Sequence, residues 1–309
     1  MSERELVVLG TASQMPTRYR NHNGYLLLWD GEGVLVDPGE GTQRQILFAD
    51  VRATRITRIC LTHLHGDHCL GLPGVLARLG YAKPGHTVHL HFPAGGQLYV
   101  ERLLGCSVMD LTLDIHLHPA DEAGIVVDEA GFRLSTAPLD HRIPTMGWRV
   151  EAAPRRHLVP ERLRAAGIDG PLVGRLDAEG SVEVDGRTVG VDEVSEWDEG
   201  QSVAFVLDTR WCEAALDLAR GVDLLVCEST FLDADEQLAH DWCHMTAGQA
   251  GRLAAEADVR QVLLTHFSQR YDDPSRFLAE ASVHFPDALV AEDLMRVPIP
   301  RPGRPSGVQ

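Results

Sequence analysis

Four side chains that can bind a metal ion fall within six consecutive positions of the chain: His63, His65, Asp67 and His68. His63 and His65 alternate, so in an extended segment both side chains point the same way. Asp67 and His68 follow Gly66 and turn with the chain toward a second point. A single tetrahedral ion rarely takes so many neighbouring ligands, so the spacing predicts two adjacent ions.

Strand patterns precede this cluster and recur before other candidate ligands. The apolar, β-branched residues 55–60 predict a buried strand directly ahead of the cluster. His141, Asp208 and His266 also stand at the ends of strand patterns. Because a layered α/β fold gathers its loops at the ends of its strands, we expect these residues to meet.

The octapeptide at 61–68, LTHLHGDH, matches the HxHxDH motif of the metallo-β-lactamase fold. Three further segments narrow the likeness: GEGTQRQ at 39–45, ESTF at 228–231 and LTHFSQRY at 264–271. With them the chain resembles ribonuclease Z, the tRNA 3′-processing endonuclease, over nearly its whole length. The resemblance implies an α/β fold, a metallo-β-lactamase-like four-layered αββα sandwich with an inserted flexible arm.

The resemblance also implies how the ligands divide between two ions. One ion would be held by His63, His65 and His141, the other by Asp67, His68 and His266, and Asp208 would bridge them. Zinc is the metal expected from the histidine-rich set, with manganese or iron as alternatives. Asp37 is expected to support a bound histidine from behind, because such ligands usually hold a carboxylate or carbonyl on the other ring nitrogen; its alternative role is a turn cap.

One position departs from the family pattern beside the bridging residue. The family usually has Gly-Asp-Thr where this chain has Leu-Asp-Thr at 207–209. This chain keeps the carboxylate of Asp208. The backbone turn at 207–209 is where it can differ from the rest of the family.

The implied reaction is hydrolysis of a phosphodiester by a metal-activated hydroxide. Asp67 is expected to accept the proton of the water. His244 is expected to protonate the departing 3′ oxygen, with Glu228 orienting its ring. The alternative for His244 is a structural role at the start of a helix.

Four cationic or aromatic residues are expected to contact phosphate and base: Arg270, Tyr271, Arg18 and Arg20. The resemblance implies precursor tRNA as the substrate and a homodimer as the assembly. Removal of the 3′ trailer would leave a 3′-hydroxyl on the tRNA.

Residues 154–189 are predicted to form an arm inserted into a single domain that spans 1–309. The Gly/Pro-rich stretch 167–174 is predicted to be flexible, and by resemblance Gly170 and Pro171 would meet the tRNA. Six arginines and six acidic residues make the arm nearly neutral. The alternative is an ordinary surface loop with solvated charges.

Composition excludes some classes of protein. The net charge of −17 argues against a general nucleic-acid binder, although not against metal-mediated phosphate binding. The apolar runs are too short to span a membrane, and the N-terminus enters a strand pattern without a signal peptide. Six scattered cysteines indicate a reduced, cytoplasmic protein. The histidine pairs at 89/91 and 116/118 are interpreted as surface residues.

Two other functions remain open at this point. A hydrolase of small phosphodiesters or aryl sulfate esters would keep the metal site without the RNA, and the acidic charge favours it. A metal-binding protein without activity is the other alternative, and the presence of Asp67 and His244 argues against it.

Overall fold

Two β-sheets of seven strands each lie face to face in the middle of the molecule. They are seen in a computed structural model that describes residues 4–108, 112–153, 155–198 and 200–301. In chain order the strands are β1 (Glu5–Gly10), β2 (Gly24–Trp29), β3 (Glu32–Val36), β4 (Ile56–Cys60), β5 (Thr87–Pro93), β6 (Asp114–Ala120), β7 (Gly124–Glu129), β8 (Phe132–Pro138), β9 (Met146–Glu151), β10 (Arg155–Leu158), β11 (Ser181–Val184), β12 (Arg187–Gly190), β13 (Ser195–Asp198), β14 (Ser202–Val206), β15 (Leu224–Glu228), β16 (Val262–Thr265), β17 (Ala288–Val290) and β18 (Arg296–Pro298). The first sheet has the order β18-β1-β2-β3-β4-β5-β6, and the second has the order β17-β16-β15-β14-β9-β8-β7.

Helices cover the outer faces of both sheets. In chain order the helices are α1 (Thr42–Phe48), α2 (Gly66–Cys69), α3 (Leu72–Ala82), α4 (Gln97–Leu104), α5 (Pro160–Ala165), α6 (Pro171–Glu179), α7 (Glu213–Ala219), α8 (Glu236–Trp242), α9 (Ala247–Glu256) and α10 (Ser275–Ala281), of which α5 and α6 lie in the inserted arm and not on a sheet. α1, α3 and α4 pack on the first sheet, and α7, α9 and α10 pack on the second. This order of helix, sheet, sheet and helix confirms the predicted four-layered sandwich. No described helix combines the length and apolar composition that crossing a bilayer requires.

Successive residues of a strand point to opposite faces of the sheet. Because the strands of the first sheet are apolar at successive positions, both of its faces are apolar. Leu6 and Val8 of β1 enter the core between the sheets, whereas Val7 and Leu9 enter the core under the helices. Each such fully buried side chain contributes roughly 1.5–3 kcal/mol relative to an exposed one. Trp148 also lies between the sheets, and its indole Nε1 donates to the Leu61 carbonyl at 3.1 Å. The inter-sheet core therefore anchors the loop that carries the histidine cluster.

Parallel pairing decides where the candidate site forms. In the first sheet β3, β4 and β5 run parallel to one another, and in the second sheet β14, β15 and β16 do the same. The carboxyl ends of parallel neighbours meet at one edge of a sheet, so the loops after them converge. The polar motifs follow directly on these strands.

Residues 155–198 form the arm, and they carry more regular structure than the sequence predicted. β10 and β13 pair as an antiparallel stalk, and β11 and β12 form a hairpin beyond it. Seven buried residues give the arm a small core of its own: Leu163, Ile168, Leu176, Val182, Val189, Val191 and Val194. The alternative of an ordinary surface loop is therefore wrong.

Two details of the predicted arm are corrected. The stretch 167–174, predicted to be flexible, contains regular structure, because α6 begins inside it at Pro171, after a turn in which Gly167 and Gly170 have φ of 69° and 50°. Proline fits the first turn of a helix, and glycine adopts the positive φ before it. The arm also ends at 198 rather than 189, since β13 completes the stalk; residue 154 lies outside the described residues.

Candidate metal centre and active site

The first cluster of candidate ligands joins the loop after β4 to two loops of the second sheet. His63 Nε2 lies 2.9 Å from His65 Nδ1, and His141 Nε2 lies 3.4 Å from the same atom. Asp208 Oδ2 is 3.5 Å from His63 Nε2 and 3.9 Å from His141 Nε2. The structure thus brings together the ligand set predicted for one ion, with four donor atoms converging on one point.

The second cluster lies on the other side of the same carboxylate. Asp208 Oδ1 is 3.3 Å from His68 Nε2 and 3.1 Å from His266 Nε2. Asp67 Oδ2 is 3.4 Å from His68 Nε2 and 3.6 Å from His266 Nε2. Asp67, His68 and His266 form the predicted second group, and Asp208 turns one oxygen toward each cluster.

These spacings match the dimensions of a metal site. Ligands at 2.0–2.1 Å from a tetrahedral zinc ion stand about 3.3 Å apart. Asp208 Oδ1 is buried and has no hydrogen-bond partner among the described residues. An unpartnered buried carboxylate oxygen is costly unless a cation meets it. The residues present therefore fit a two-ion centre.

Charges in this centre are strongly coupled. Burial disfavours ionisation of Asp208, but His266 and His68 hold the pKa of its carboxyl well below the usual range. Burial and the neighbouring His68 lower the pKa of His63 well below its ordinary value. A neutral imidazole with a free lone pair is the form that binds a metal.

A left-handed backbone supports the centre at three strand ends. Asp37, Asp208 and His266 have φ of 49°, 46° and 63°, a conformation that costs a residue with a Cβ roughly 1–3 kcal/mol. The sharp turn at 207–209 is made by Asp208 itself. Position 207 needs no glycine, and Leu207 packs fully buried in the core between the sheets.

Two buried carboxylates hold the ligands in the same way. Asp37 accepts hydrogen bonds from His68 Nδ1 at 2.8 Å and from the Thr62 hydroxyl at 2.6 Å. The Thr62 hydroxyl lies 3.0 Å from His63 Nδ1 and can accept its proton. Asp37 thus holds His68 directly and His63 through a threonine, as the sequence predicted for a supporting carboxylate.

Glu228 repeats this arrangement on the second sheet. It accepts from His244 Nδ1 at 3.0 Å and from the Thr230 hydroxyl at 2.6 Å, and that hydroxyl lies 2.7 Å from His266 Nδ1. The Thr209 and Met245 amides donate to the same carboxylate. These partners place the histidine protons on Nδ1 and leave Nε2 facing the centre. The two threonines were missed in the sequence, although each lies within a motif segment.

His244 lies at the edge of the centre, three residues before the α9 helix begins at Ala247. Thr246 caps that helix by accepting from the Gln249 amide at 3.2 Å, so the capping role proposed as the alternative for His244 belongs to Thr246. Burial lowers the pKa of His244, but the Glu228 carboxylate outweighs it and raises the value to about 9. The imidazole can therefore carry a proton at neutral pH.

Comparisons with known proteins agree with this geometry. Residues 17–211 match the family model of the metallo-beta-lactamase superfamily, and residues 181–267 match that of the beta-lactamase superfamily domain. A ribonuclease Z of Nocardia farcinica is 54% identical over 97% of this chain and 99% of its own length. The chain belongs to the ribonuclease Z family. A more distant ribonuclease Z, from Chlamydia trachomatis serovar L2, is 44% identical over 97% of this chain and 99% of the relative.

Solved structures of other proteins share the fold of this member of the ribonuclease Z family. Human tRNase Z, short form, superimposes with a TM-score of 0.69 at 25% identity, over 96% of this chain and 99% of the human chain. The metallo-beta-lactamase fold protein YhfI of Bacillus subtilis superimposes with a TM-score of 0.67 at 18% identity, over 96% of this chain and 99% of the YhfI chain. At that lower identity the likeness concerns the fold alone.

A cavity of about 400 Å³ opens over the metal centre of this ribonuclease Z family member. Five of the seven candidate ligands line it, together with His244 and Arg270. Arg270 is thus placed where the sequence expected a substrate contact. Two further lining residues, Arg142 and Trp242, were missed in the sequence. Arg142 directly follows His141, and Trp242 lies two positions before His244.

Tyr271 corrects the predicted set of substrate contacts. Its ring is buried, and its hydroxyl donates to Asp235 behind the cavity wall. Arg20 is half-buried and donates to the Tyr271 carbonyl at 2.5 Å, so it braces this loop. Arg18 is exposed outside the cavity.

Gly170 and Pro171, also expected to meet the substrate, lie in the arm at the start of α6. Neither residue lines the cavity over the metal centre. Any contact they make with a substrate is therefore remote from the reacting bond.

Proposed function

We propose that this protein is a metal-dependent endoribonuclease that removes the 3′ trailer from precursor tRNA and leaves a 3′-hydroxyl on the tRNA. The observation that carries the proposal is the pair of ligand clusters joined by Asp208, with the His244–Glu228 pair beside them. Two-ion centres of this kind serve in-line displacement at phosphorus. Membership of the ribonuclease Z family supports tRNA as the substrate.

We assign the seven ligands to two zinc ions. One ion would be held by His63, His65 and His141. The other ion would be held by Asp67, His68 and His266, and Asp208 would be a ligand of both. The excess of imidazole over carboxylate favours zinc over manganese or iron. When bound, such ions supply a hydroxide near neutral pH and neutralise charge on the phosphoryl oxygens.

Two residues that line the cavity, Asp67 and His244, carry out the proton transfers. Asp67, whose carboxylate reaches the cavity, accepts the proton of the attacking water. His244 donates a proton to the departing 3′ oxygen, and the Glu228 carboxylate both orients the ring and favours its protonated form.

We propose that the arm, within a single domain spanning 1–309, positions the body of the tRNA away from the cleaved bond. Every arginine of the arm whose side chain the structure describes is paired with a carboxylate: Arg156 with Asp192, Arg162 with Glu196, Arg164 with Glu161, Arg175 with Glu179 and Arg187 with Glu193. An arm with its arginines so engaged offers few free cations to phosphate. Its contribution therefore rests on shape and on backbone groups such as those at Gly170 and Pro171, and it gives a shallow dependence on salt.

A homodimer is the proposed assembly. The outer layer of the first sheet exposes large apolar side chains on α1 and α3, with Leu47 at 54%, Phe48 at 53% and Tyr81 at 90%. Exposed apolar side chains of this size support an interaction surface on this layer, and we propose that a second copy covers it. All six cysteines are free thiols, which fits a reducing cytoplasm.

The stalk of the arm allows a clean test of the substrate. Leu158 and Ser195 face each other across the β10–β13 pair, so an Asn-Gly turn can join them and remove the residues between. We expect the shortened protein to hydrolyse bis-p-nitrophenyl phosphate like the intact protein and to lose orders of magnitude in kcat/KM on precursor tRNA, because remote binding positions the substrate.

Two controls complete this experiment. Asp67→Ala should abolish both activities, since it removes a ligand and the proton acceptor together. If the intact, metal-loaded protein hydrolyses the small diester and leaves precursor tRNA uncut, the proposal fails. The hydrolysis of small phosphodiesters or aryl sulfate esters, which the acidic charge of −17 favours, would then take its place.

A further inference from the structure

A cation–aromatic pair forms the wall of the cavity on the His244 side. The Arg142 guanidinium carbon lies 4.8 Å from the centre of the Trp242 ring. Both side chains line the cavity, and Trp242 is 47% exposed. Trp242 therefore presents aromatic surface inside the cavity over the candidate metal centre, where a bound ligand can contact it.

The backbone fixes this pair relative to the centre. Trp242 is the last residue of α8, and Cys243 follows in a left-handed conformation with φ of 60°, which turns the chain toward His244. The Cys243 carbonyl lies 3.1 Å from His141 Nδ1 and accepts a hydrogen bond from it. The loop that carries Arg142 and the loop that carries Trp242 are thus tied together at a candidate ligand.

We infer that Trp242 stacks on the base of the nucleotide immediately 5′ to the cleaved phosphate, with Arg142 holding the indole in place. This inference rests on the proposed function. The 3′ oxygen that departs belongs to that nucleotide, and His244 is the group that protonates it. The base on the same ribose therefore falls on the His244 side of the cavity, where Trp242 presents its ring.

The chemistry of the pair suits a nucleotide of any sequence. Every base has a π-face, so stacking on an aromatic ring positions the strand without reading hydrogen-bond patterns. Among the described residues, no carboxylate forms an ion pair with Arg142, so its charge also remains available to the phosphate backbone. Trp242 acts here as a positioning residue, because it places the reacting bond without touching the reacting atoms.

A double-mutant cycle between protein and substrate tests this directly. The variants are Trp242→Ala, Trp242→Phe and Trp242→Leu, and the substrates are precursor tRNA with and without the base immediately 5′ to the cleaved bond. On the intact substrate we expect Trp242→Ala to lower kcat/KM about tenfold, within the range that loss of one base–aromatic contact gives. Phenylalanine should retain most of the activity, and leucine should behave like alanine.

On the abasic substrate we expect the wild-type protein and Trp242→Ala to differ by less than twofold, because the partner of the ring has been removed. Removing the base immediately 3′ to the bond should leave the full Trp242→Ala effect. Trp211→Ala is the matched control: Trp211 is 39% exposed in a neighbouring cavity that also includes His244, and this variant should keep the full sensitivity to the missing base.

Three results would overturn the inference. The first is a Trp242→Ala effect that persists in full on the abasic substrate, and the second is the absence of any effect on the intact one. Melting temperatures and metal content of each variant separate either result from misfolding. The third is a wild-type protein that does not cut precursor tRNA, which refutes the proposed function itself and is seen before any variant is measured.

Discussion

Asp37→Asn replaces a carboxylate behind the candidate metal centre by a neutral amide of almost the same size. Asp37 is fully buried and accepts three hydrogen bonds, from the Thr62 amide at 2.7 Å, the Thr62 hydroxyl at 2.6 Å and His68 Nδ1 at 2.8 Å. An asparagine has only one acceptor oxygen. Its amide nitrogen must face either the Thr62 N–H or His68 Nδ1.

Each orientation damages the site in a definite way. Against the Thr62 N–H, two donors oppose each other in a buried place. Against His68, the ring must accept on Nδ1 and carry its proton on Nε2, the atom that faces Asp208 at 3.3 Å. Loss of a hydrogen bond to a charged group costs about 1.5–3 kcal/mol, and losses of 10- to 100-fold in metal affinity are typical for partners of metal-bound histidines.

We therefore expect Asp37→Asn to lower the binding affinity of one ion about 10- to 100-fold. That ion is the one assigned to Asp67, His68 and His266. Competition with a chromophoric chelator measures the affinities, and we expect two release steps in the wild-type protein, of which the weaker is shifted in the variant. Asp223→Asn is the matched control: it alters another buried aspartate, one that accepts from Ser202 and Arg260. Wild-type affinity for both ions in folded Asp37→Asn would refute the reasoning.

Three further perturbations have expected outcomes. His244→Ala should lower precursor tRNA cleavage by roughly 10²–10⁴-fold and should affect bis-p-nitrophenyl phosphate far less, because p-nitrophenolate departs without a proton; equal losses on both substrates would contradict the assignment. Burial and the neighbouring His118 lower the pKa of His91 to about 3, so the unfolded chain binds a proton below pH 6.5 that the folded chain does not, and stability falls as the pH falls. His91→Phe should remove this acid-dependent loss of unfolding free energy, which amounts to about 2 kcal/mol at pH 5. Urea unfolding of both proteins at several pH values, with chelator present, measures it. If the unfolding free energies of the two proteins change with pH in parallel, His91 is not the cause. Leu176→Ala should cost about 2–5 kcal/mol within the small core of the arm, so amide exchange should accelerate across 155–198 and not in the two sheets; exchange rising everywhere would show that the arm has no core of its own.

The candidate ligands could be selected from the sequence for a physical reason. His63, His65, Asp67 and His68 occupy six positions, and such a density of donors has few uses other than a metal. The remaining ligands each follow an apolar strand pattern, and the parallel strands of a layered sandwich bring such positions to one edge. Local patterns and the global fold agree here, so reasoning from either gives the same residues.

Other features depend on contacts that no local pattern records. The arm was predicted as flexible because Gly170 and Pro171 interrupt its pattern, yet the same pair turns the chain and starts a helix. Its core joins apolar residues about thirty positions apart. Tyr271 was expected to face the substrate, and only the packing shows its hydroxyl turned to Asp235. Trp242 is ordinary in sequence and becomes informative only where the cavity leaves it half exposed.

The division of the ligands between the two sheets affects how a newly made chain acquires its metal. The ribosome releases the cluster at 63–68 early, whereas His266 follows about 200 residues later. At 5–20 residues per second the nascent chain spends roughly 10–40 s with three histidines and an aspartate but no complete centre. An incomplete imidazole site binds copper more tightly than zinc. Selection of an ion by geometry requires both sheets of the sandwich, so we expect the metal to be loaded after synthesis rather than during it.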